Sequence, residues 1–474
     1  MNREKRLVKN SIILLIGQVI PKMTFLVVLP ILTAYLTKTE YGTYDLISVL
    51  QSLLLPIITL QIQVAAFRYL IENKDNLIGK KKIVTNVFLF LIPVTLLLFL
   101  GSMLLLFNYS LLERFLISIF LVLELIYGVF GQISRGLLDT KGYSLAGIIN
   151  SLVNFILTII LIYVFRLGLI GLLVCLCISV AIPSIILFIK EKMYSLFDYK
   201  LKSKLELKKL ISYSWPMIPL AISMWVINAS DRVMISIFLG IEANAVYAVA
   251  RKIPSIINLV QSSFHTAWTE SASLADKDDD SSTYYSKMFN TLFRVVCGFT
   301  VLLAASTPIL FKILIKGSYE EAYFQMPILL LSMIFFSLSS FMGGIYTAKK
   351  KTKSVGFTTV FAAIINIAID YFLIKYIGIY AASISTLVSY AALTIFRMIN
   401  VKRFVDMKYD VKGIAFMTII TTMSCMLLYF DSIYIKCFNI LFSCIFAFLF
   451  NKKTIETIFI KLLKKIHKKK ECEI

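Results

Sequence analysis

Apolar runs long enough to cross a lipid bilayer follow one another along nearly the whole chain, and this limits the possible folds more than any motif does. About 20 residues at ~1.5 Å rise each are needed to span ~30 Å of hydrocarbon. Inside hydrocarbon the backbone must satisfy its own polar groups, as a helix does. Cutting the sequence on that length predicts fourteen transmembrane helices, at 11–36, 43–66, 83–107, 114–134, 143–165, 168–189, 211–238, 243–265, 289–312, 322–346, 354–374, 378–396, 412–430 and 433–450. The last two are short and poorly separated, at Asp431 and Ser432. The 474 residues are 59% hydrophobic and 16% charged, with a mean hydropathy of +0.84, which excludes a water-soluble globular enzyme. The expected fold class is an all-α polytopic membrane protein.

The net charge of +22 would suggest nucleic acid in a soluble chain. Here the Lys and Arg residues fall in short clusters between apolar runs, which is a topology signal and not a nucleic-acid surface. With the N-terminus inside, 37 of the 49 cations lie in inner segments and six in outer loops, so both termini are expected in the cytoplasm of a multi-pass protein of the cell membrane. The run Ser11 to Leu36 is too long for a signal-peptide core and has no small-residue cleavage site after it, so the first span is expected to stay. Short loops on both sides leave no room for an external catalytic domain. No phosphate-binding loop is present, which removes a built-in ATPase. The seven cysteines lack zinc-site spacing and read as small buried hydrophobes. Asp276, Asp278 and Asp280 imitate the start of a calcium loop, but Ser281 stands where the glycine must be. No cofactor and no metal is expected.

The chain matches itself at two offsets. At 203 residues Leu36, Gly42, Tyr44 and Ser52 fall on Leu239, Ala245, Tyr247 and Ser255; at 212, Gly131, Ile133, Thr140, Lys141 and Asn154 fall on Gly343, Ile345, Thr352, Lys353 and Asn366. An even number of helices per unit gives both halves the same orientation, hence a parallel repeat about the membrane normal. The expected organisation is an N-lobe at 1–200 with helices 1–6, a C-lobe at 201–404 with helices 7–12, and helices 13 and 14 with a basic amphipathic tail at 405–474. The lobes should enclose a central cavity.

Two helices show polar stripes that would face it. In the second span Asp45, Ser48, Ser52, Pro56, Thr59 and Gln63 recur every three or four residues and share one helical face. In the eighth, Arg251, Ser255, Asn258, Ser262 and His265 do the same, with Gln261 beside them. Lys22 in the first span, Arg232 in the seventh and Arg251 in the eighth are cations inside hydrocarbon, each costing ~2.5–3.5 kcal/mol at the centre on insertion scales. Either they are neutralised, with Asp231 adjoining Arg232 and Asp45 available to Arg251 or Lys22, or they face an anion. A phosphate or carboxylate in a dry cavity would be drawn to them with little screening.

The stretch Asn10, Gly17, Gln18, then Leu29, Pro30, Leu32 and Leu36, followed by Glu40, Tyr41, Gly42 and Tyr44, resembles bacterial polysaccharide-biosynthesis transporters of the Wzx oligosaccharide-flippase type. The Asp231–Arg232 pair and the region Gln261 to Trp268 are similar too. The wider superfamily also holds multidrug/cation antiporters and peptidoglycan-precursor flippases. The resemblance implies a two-lobe alternating-access transporter that moves an undecaprenyl-pyrophosphate-linked oligosaccharide from the inner to the outer leaflet. It implies Lys22, Arg232 and Arg251 as contacts for pyrophosphate or anionic sugars, Arg68 as a weaker one, and Asp45, Asn258 and Gln261 beside them. It leaves room for H+ or Na+ coupling and for a polysaccharide polymerase and other assembly proteins as partners besides membrane lipids. The alternative readings are a cation-coupled multidrug antiporter, whose cavity would be dominated by Asp45, Glu124 and Asp370, and a lipid-linked-sugar polymerase or ligase, which would need a large external loop.

Overall fold

The computed structural model describes residues 21, 23, 24, 26–276 and 278–471, and Lys22 lies outside them. Every regular element among these residues is a helix. The α-helices are α1 (Leu26–Tyr35), α2 (Lys38–Ile58), α3 (Ile62–Glu72), α4 (Leu77–Leu105), α5 (Leu111–Gly136) and α6 (Thr140–Thr158). Next come α7 (Gly168–Lys190), α8 (Lys204–Ser214), α9 (Ile218–Phe238), α10 (Ile241–Ala250), α11 (Ile256–Ala275) and α12 (Ser281–Leu314). The last are α13 (Glu320–Ala348), α14 (Thr352–Ile377), α15 (Tyr380–Val401), α16 (Val411–Met426) and α17 (Ile433–Glu471). Among the described residues twelve helices are long and apolar enough to cross a membrane. The protein is a multi-pass membrane protein.

The chain forms two compact units, one of residues 1–245 with 314–317, the other of residues 246–313 with 318–474. In the first, α7 packs along α5 and α6; in the second, α15 packs along α13 and α14. The helix ends keep the sequence offsets. α2 starts at Lys38 and α10 at Ile241, 203 residues apart, while α5 ends at Gly136 and α13 at Ala348, 212 apart. The starts of α6 and α14 (Thr140, Thr352) and of α7 and α15 (Gly168, Tyr380) are also 212 apart.

Helix ends are fixed locally. Thr37 caps α2 and Ser110 caps α5, each with a glutamate three residues on (Glu40, Glu113) returning the bond to the cap backbone. Gly42 on α2 allows the close approach of α10: a Cβ there would lie 2.2 Å from the Ile241 carbonyl oxygen.

Two expected spans are not continuous helices. Residues 43–66 divide between α2 and α3, because α2 continues past Pro56 only to Ile58 and the chain then turns through Leu60 and Gln61 at φ of 49° and 57°. The six-residue stripe of the second span therefore does not share one face, since Thr59 and Gln63 lie at and beyond the break. Residues 243–265 divide at Arg251–Ser255 around Pro254, and neither α10 nor α11 is both long and apolar enough to be a span by itself. At the C-terminus, the basic amphipathic tail is backbone-continuous with the last span in α17. Helices α16 and α17 are separated by a 3-10 turn (Leu427–Tyr429) and residues 430–432, and are pinned by Ser424 Oγ donating to Asn439 Oδ1 at 2.8 Å. Of the described cysteines, Cys175, Cys177, Cys297 and Cys425 are buried thiols, while Cys437 and Cys444 are exposed.

Candidate functional site

Unit one holds the charged part of the site. Helices α2 and α9 cross so that Trp225 Nε1 donates to the Val49 carbonyl at 2.9 Å, and two turns further along α9 Arg232 meets Asp45 one turn earlier on α2. Arg232 Nη1 donates to both oxygens of Asp45, at 3.1 and 3.3 Å. Asp45 is 3% exposed, and the Arg232 side chain keeps 21% of its surface. The sequence offered Asp45 to Arg251 or Lys22; among the described residues its carboxylate is taken by Arg232, which comes from a helix 187 residues away. Such a contact has no local signal. Arg232 Nε is buried and has no hydrogen-bond partner among the described residues, so within them the guanidinium is only partly satisfied. A half-paired arginine of this kind can hold its carboxylate or turn to another anion.

The hydroxyls of the α2 stripe serve their own helix. Ser48 donates to the Tyr44 carbonyl, Ser52 to Val49 and Thr59 to Leu55. Arg68 lies beyond the break on α3 and forms a surface pair with Glu72 at 2.9 Å, with both side chains about half exposed. An exposed i,i+4 pair adds little stability.

In unit two, Arg251 sits in the turn between α10 and α11, with its guanidinium 5.7 Å from the Tyr247 ring centroid. Tyr247 is buried and hydrogen-bonds the Ala382 carbonyl and the Thr386 hydroxyl on α15 at 3.3 Å. Asn258 on α11 has a buried Oδ1 without a partner among the described residues. Gln261 is buried and its amide donates to the Ser337 carbonyl on α13 at 3.3 Å, while Trp268, two turns on, donates to the Phe341 carbonyl at 2.8 Å. These two residues dock α11 on α13, so the Gln261–Trp268 region has a packing role. Gly344 makes room for the indole: a Cβ would lie 2.5 Å from Trp268 Cδ1.

One charged residue escaped the sequence reading as a buried group. Arg397 fell in an inner loop when the twelfth span was ended at 396, but α15 runs to Val401 and Arg397 is 5% exposed. Its Nε donates to Thr358 Oγ1 at 3.0 Å, Nη1 to the Ser339 carbonyl at 2.7 Å and Nη2 to Thr359 Oγ1 at 3.0 Å. Among the described residues no carboxylate faces it. The signal was available in the run of Ser and Thr on α13 and α14, which supplies neutral acceptors to a buried cation.

A second polar cluster lies outside the spans, where the α5–α6 turn meets the end of α7. Asp139 caps α6 through the Gly142 amide at 2.9 Å and is bonded to Lys190. Ser134 donates to Glu191 Oε1 at 3.0 Å. Burial pushes the Asp139 carboxyl up, but Lys190 and the Gly142 amide outweigh it and hold the group below its ordinary range. Glu191 is pushed up to about 7, by burial first and then by Asp139 beside it.

Among the described residues no group of three or more His, Cys, Asp or Glu side chains could hold a metal ion. Comparison with known proteins gives the following. A family model described as polysaccharide biosynthesis protein matches residues 7–269, more than half of the chain, and one described as lipid II flippase MurJ matches residues 235–457. No curated protein matches. Among solved structures, the lipid II flippase MurJ in an inward closed conformation is similar at TM-score 0.66 and 12% identity, over 94% of this chain and 99% of that one. An inward-facing multidrug resistance MATE transporter gives 0.65 and 13%, over 82% and 98%. A MOP superfamily transporter from Pyrococcus furiosus, noted for the reversed polarity of its binding pocket, gives 0.57 and 14%, over 83% and 95%. At these identities the structures establish the fold.

Proposed function

The chain belongs to the polysaccharide biosynthesis protein family, the Wzx-type flippases of the MOP superfamily, and on that premise we propose that it moves an undecaprenyl-pyrophosphate-linked oligosaccharide from the inner to the outer leaflet. The observation that supports this reading is Arg232, held inside a span by Asp45 yet left with an unsatisfied Nε. A polar headgroup bearing phosphate charge would find there a guanidinium with little competing water. Lys22, Arg232 and Arg251 supply the positive lining, and Asn258 adds a polar group on α11. Arg68 and Gln261 contribute least, because each is engaged with its own neighbour.

The transport cycle is alternating access of two duplicated six-helix lobes around a hydrated cavity, with both termini in the cytoplasm. The helix ends repeated at 203 and 212 residues support the duplication, and the excess of cations on one set of loops supports the orientation. The polyprenyl tail stays in lipid while the headgroup crosses, and no bond is made or broken. Coupling to H+ or Na+ and partnership with a polymerase belong to the same reading.

The MATE likeness favours one competitor, a cation-coupled multidrug antiporter. It needs carboxylates open to cations, and Asp45 is already bonded to Arg232. Cells carrying Arg251→Gln should accumulate lipid-linked repeat units on the inner face with the protein still at its normal level in the membrane. Unchanged surface polysaccharide would remove Arg251 from the site.

A further inference from the structure

Helices α14 and α15 leave an open groove of about 360 Å³ where the start of one meets the end of the other. Lys353, Ser354 and Phe357 line it from α14, and Phe396, Asn400 and Arg403 from the end of α15 and the turn after it. Among the described residues that line it none is acidic. Thr358, also in the wall, accepts the hydrogen bond from Arg397 Nε, so a third positive charge stands directly behind the groove. Like charges gathered in this way repel one another unless an anion lies between them.

The related place in unit one is built differently. Counting back 212 residues, Lys351 corresponds to Asp139, Lys353 to Lys141, Lys402 to Lys190 and Arg403 to Glu191. There Lys190 is bonded to Asp139, and Glu191 sits beside them. The first unit neutralises its cations with its own carboxylates. The second has cations at both carboxylate positions.

The groove also has a polarity gradient. Lys353 and Arg403 mark its end at the helix termini. Phe357 is one turn deeper on α14 and 67% exposed, Phe361 follows a turn later, and the Phe357 and Phe396 rings are 6.3 Å apart. A free inorganic anion would have no use for the rings. A molecule with a charged head and an apolar tail matches both parts.

We propose that this groove binds an anionic phospholipid, with the headgroup phosphate between Lys353 and Arg403 and an acyl chain over Phe357 and Phe396. The test is native mass spectrometry of the delipidated full chain in detergent, with dioleoyl phosphatidylglycerol, dioleoyl phosphatidylcholine and inorganic phosphate as probes. The wild type retains one phosphatidylglycerol in preference to phosphatidylcholine. Each cation removed lowers that preference about fivefold, so Lys353→Gln/Arg403→Gln abolishes it. Arg403→Glu, which copies the charge at Glu191, does so with a single change. Delipidated variants melting like the wild type show that the fold is intact. Lys80→Gln/Lys81→Gln, in a cation cluster of unit one, leaves the preference unchanged. The proposal is overturned if both groove variants keep the preference, if the Lys80/Lys81 variant loses as much, or if equimolar inorganic phosphate displaces the lipid.

Discussion

Arg232 on α9 and Asp45 on α2 form an ion pair inside the membrane span, with Nη1 3.1 and 3.3 Å from the two carboxylate oxygens. Removing one partner leaves the other charge poorly solvated, which costs about 3 kcal/mol for a buried pair. Arg232→Gln and Asp45→Asn should each lower the melting temperature, and the double variant should lose less than the sum of the two. Additive losses in a double-mutant cycle would show that the pair contributes no coupling.

Glu191 gives a pH dependence. With its pKa raised to about 7 from an ordinary 4.5, the folded protein keeps the proton while the unfolded chain has released it. Stability from this group is therefore fully present below pH 4.5 and falls as pH rises towards 7. Discounted for solvent screening, the loss is about 1 kcal/mol. Glu191→Gln should remove that slope in melting temperature against pH. A slope unchanged in the variant would assign it to another group.

Arg397 joins three helices, with the Ser339 carbonyl on α13, Thr358 and Thr359 on α14, and its own place on α15. Arg397→Met keeps much of the volume. The threonine hydroxyls retain their bonds to the Ser354 and Val355 carbonyls, and the Ser339 carbonyl keeps its place in the α13 ladder, so the change removes the bonds that the charged donor makes to α13 and α14. Hydrogen bonds from a charged group contribute about 2 kcal/mol each, read as a lower melting midpoint. An unchanged midpoint would mean that water replaces the guanidinium.

Gly42→Ala should be severe, because its Cβ would sit 2.2 Å from the Ile241 backbone oxygen and two helix backbones would have to part. Gly101→Ala on α4 meets nothing within 4 Å and should be neutral or stabilising by up to about 1 kcal/mol. Expression level and melting temperature of the two variants should diverge. Equal behaviour would deny the close approach of α2 and α10.

Much of the architecture was legible because hydrocarbon thickness sets helix length, and because matched residues such as Tyr44 and Tyr247 share an offset of 203 that the helix starts at Lys38 and Ile241 keep. The breaks at Leu60–Gln61 and around Pro254 were overridden by hydropathy windows, which count apolar residues and ignore backbone direction. Arg397 was hidden for the same reason, since a window that stops at the first cation treats it as loop. Pairings such as Arg232 with Asp45 depend on which helices touch, and no local spacing specifies that. Polar residues at helical spacing are also ambiguous: Gln261, placed beside the polar stripe, anchors α11 to Ser337.

The positive lining is best tested by reconstituting the purified full chain in liposomes loaded on one leaflet with a fluorescent undecaprenyl-pyrophosphate oligosaccharide and following its appearance on the other. The wild type should translocate it, Arg232→Gln and Arg251→Gln should slow it at least tenfold, and ethidium should not be exchanged for H+ or Na+. Full translocation by both variants, or ethidium exchange abolished by Asp45→Asn, would contradict the account.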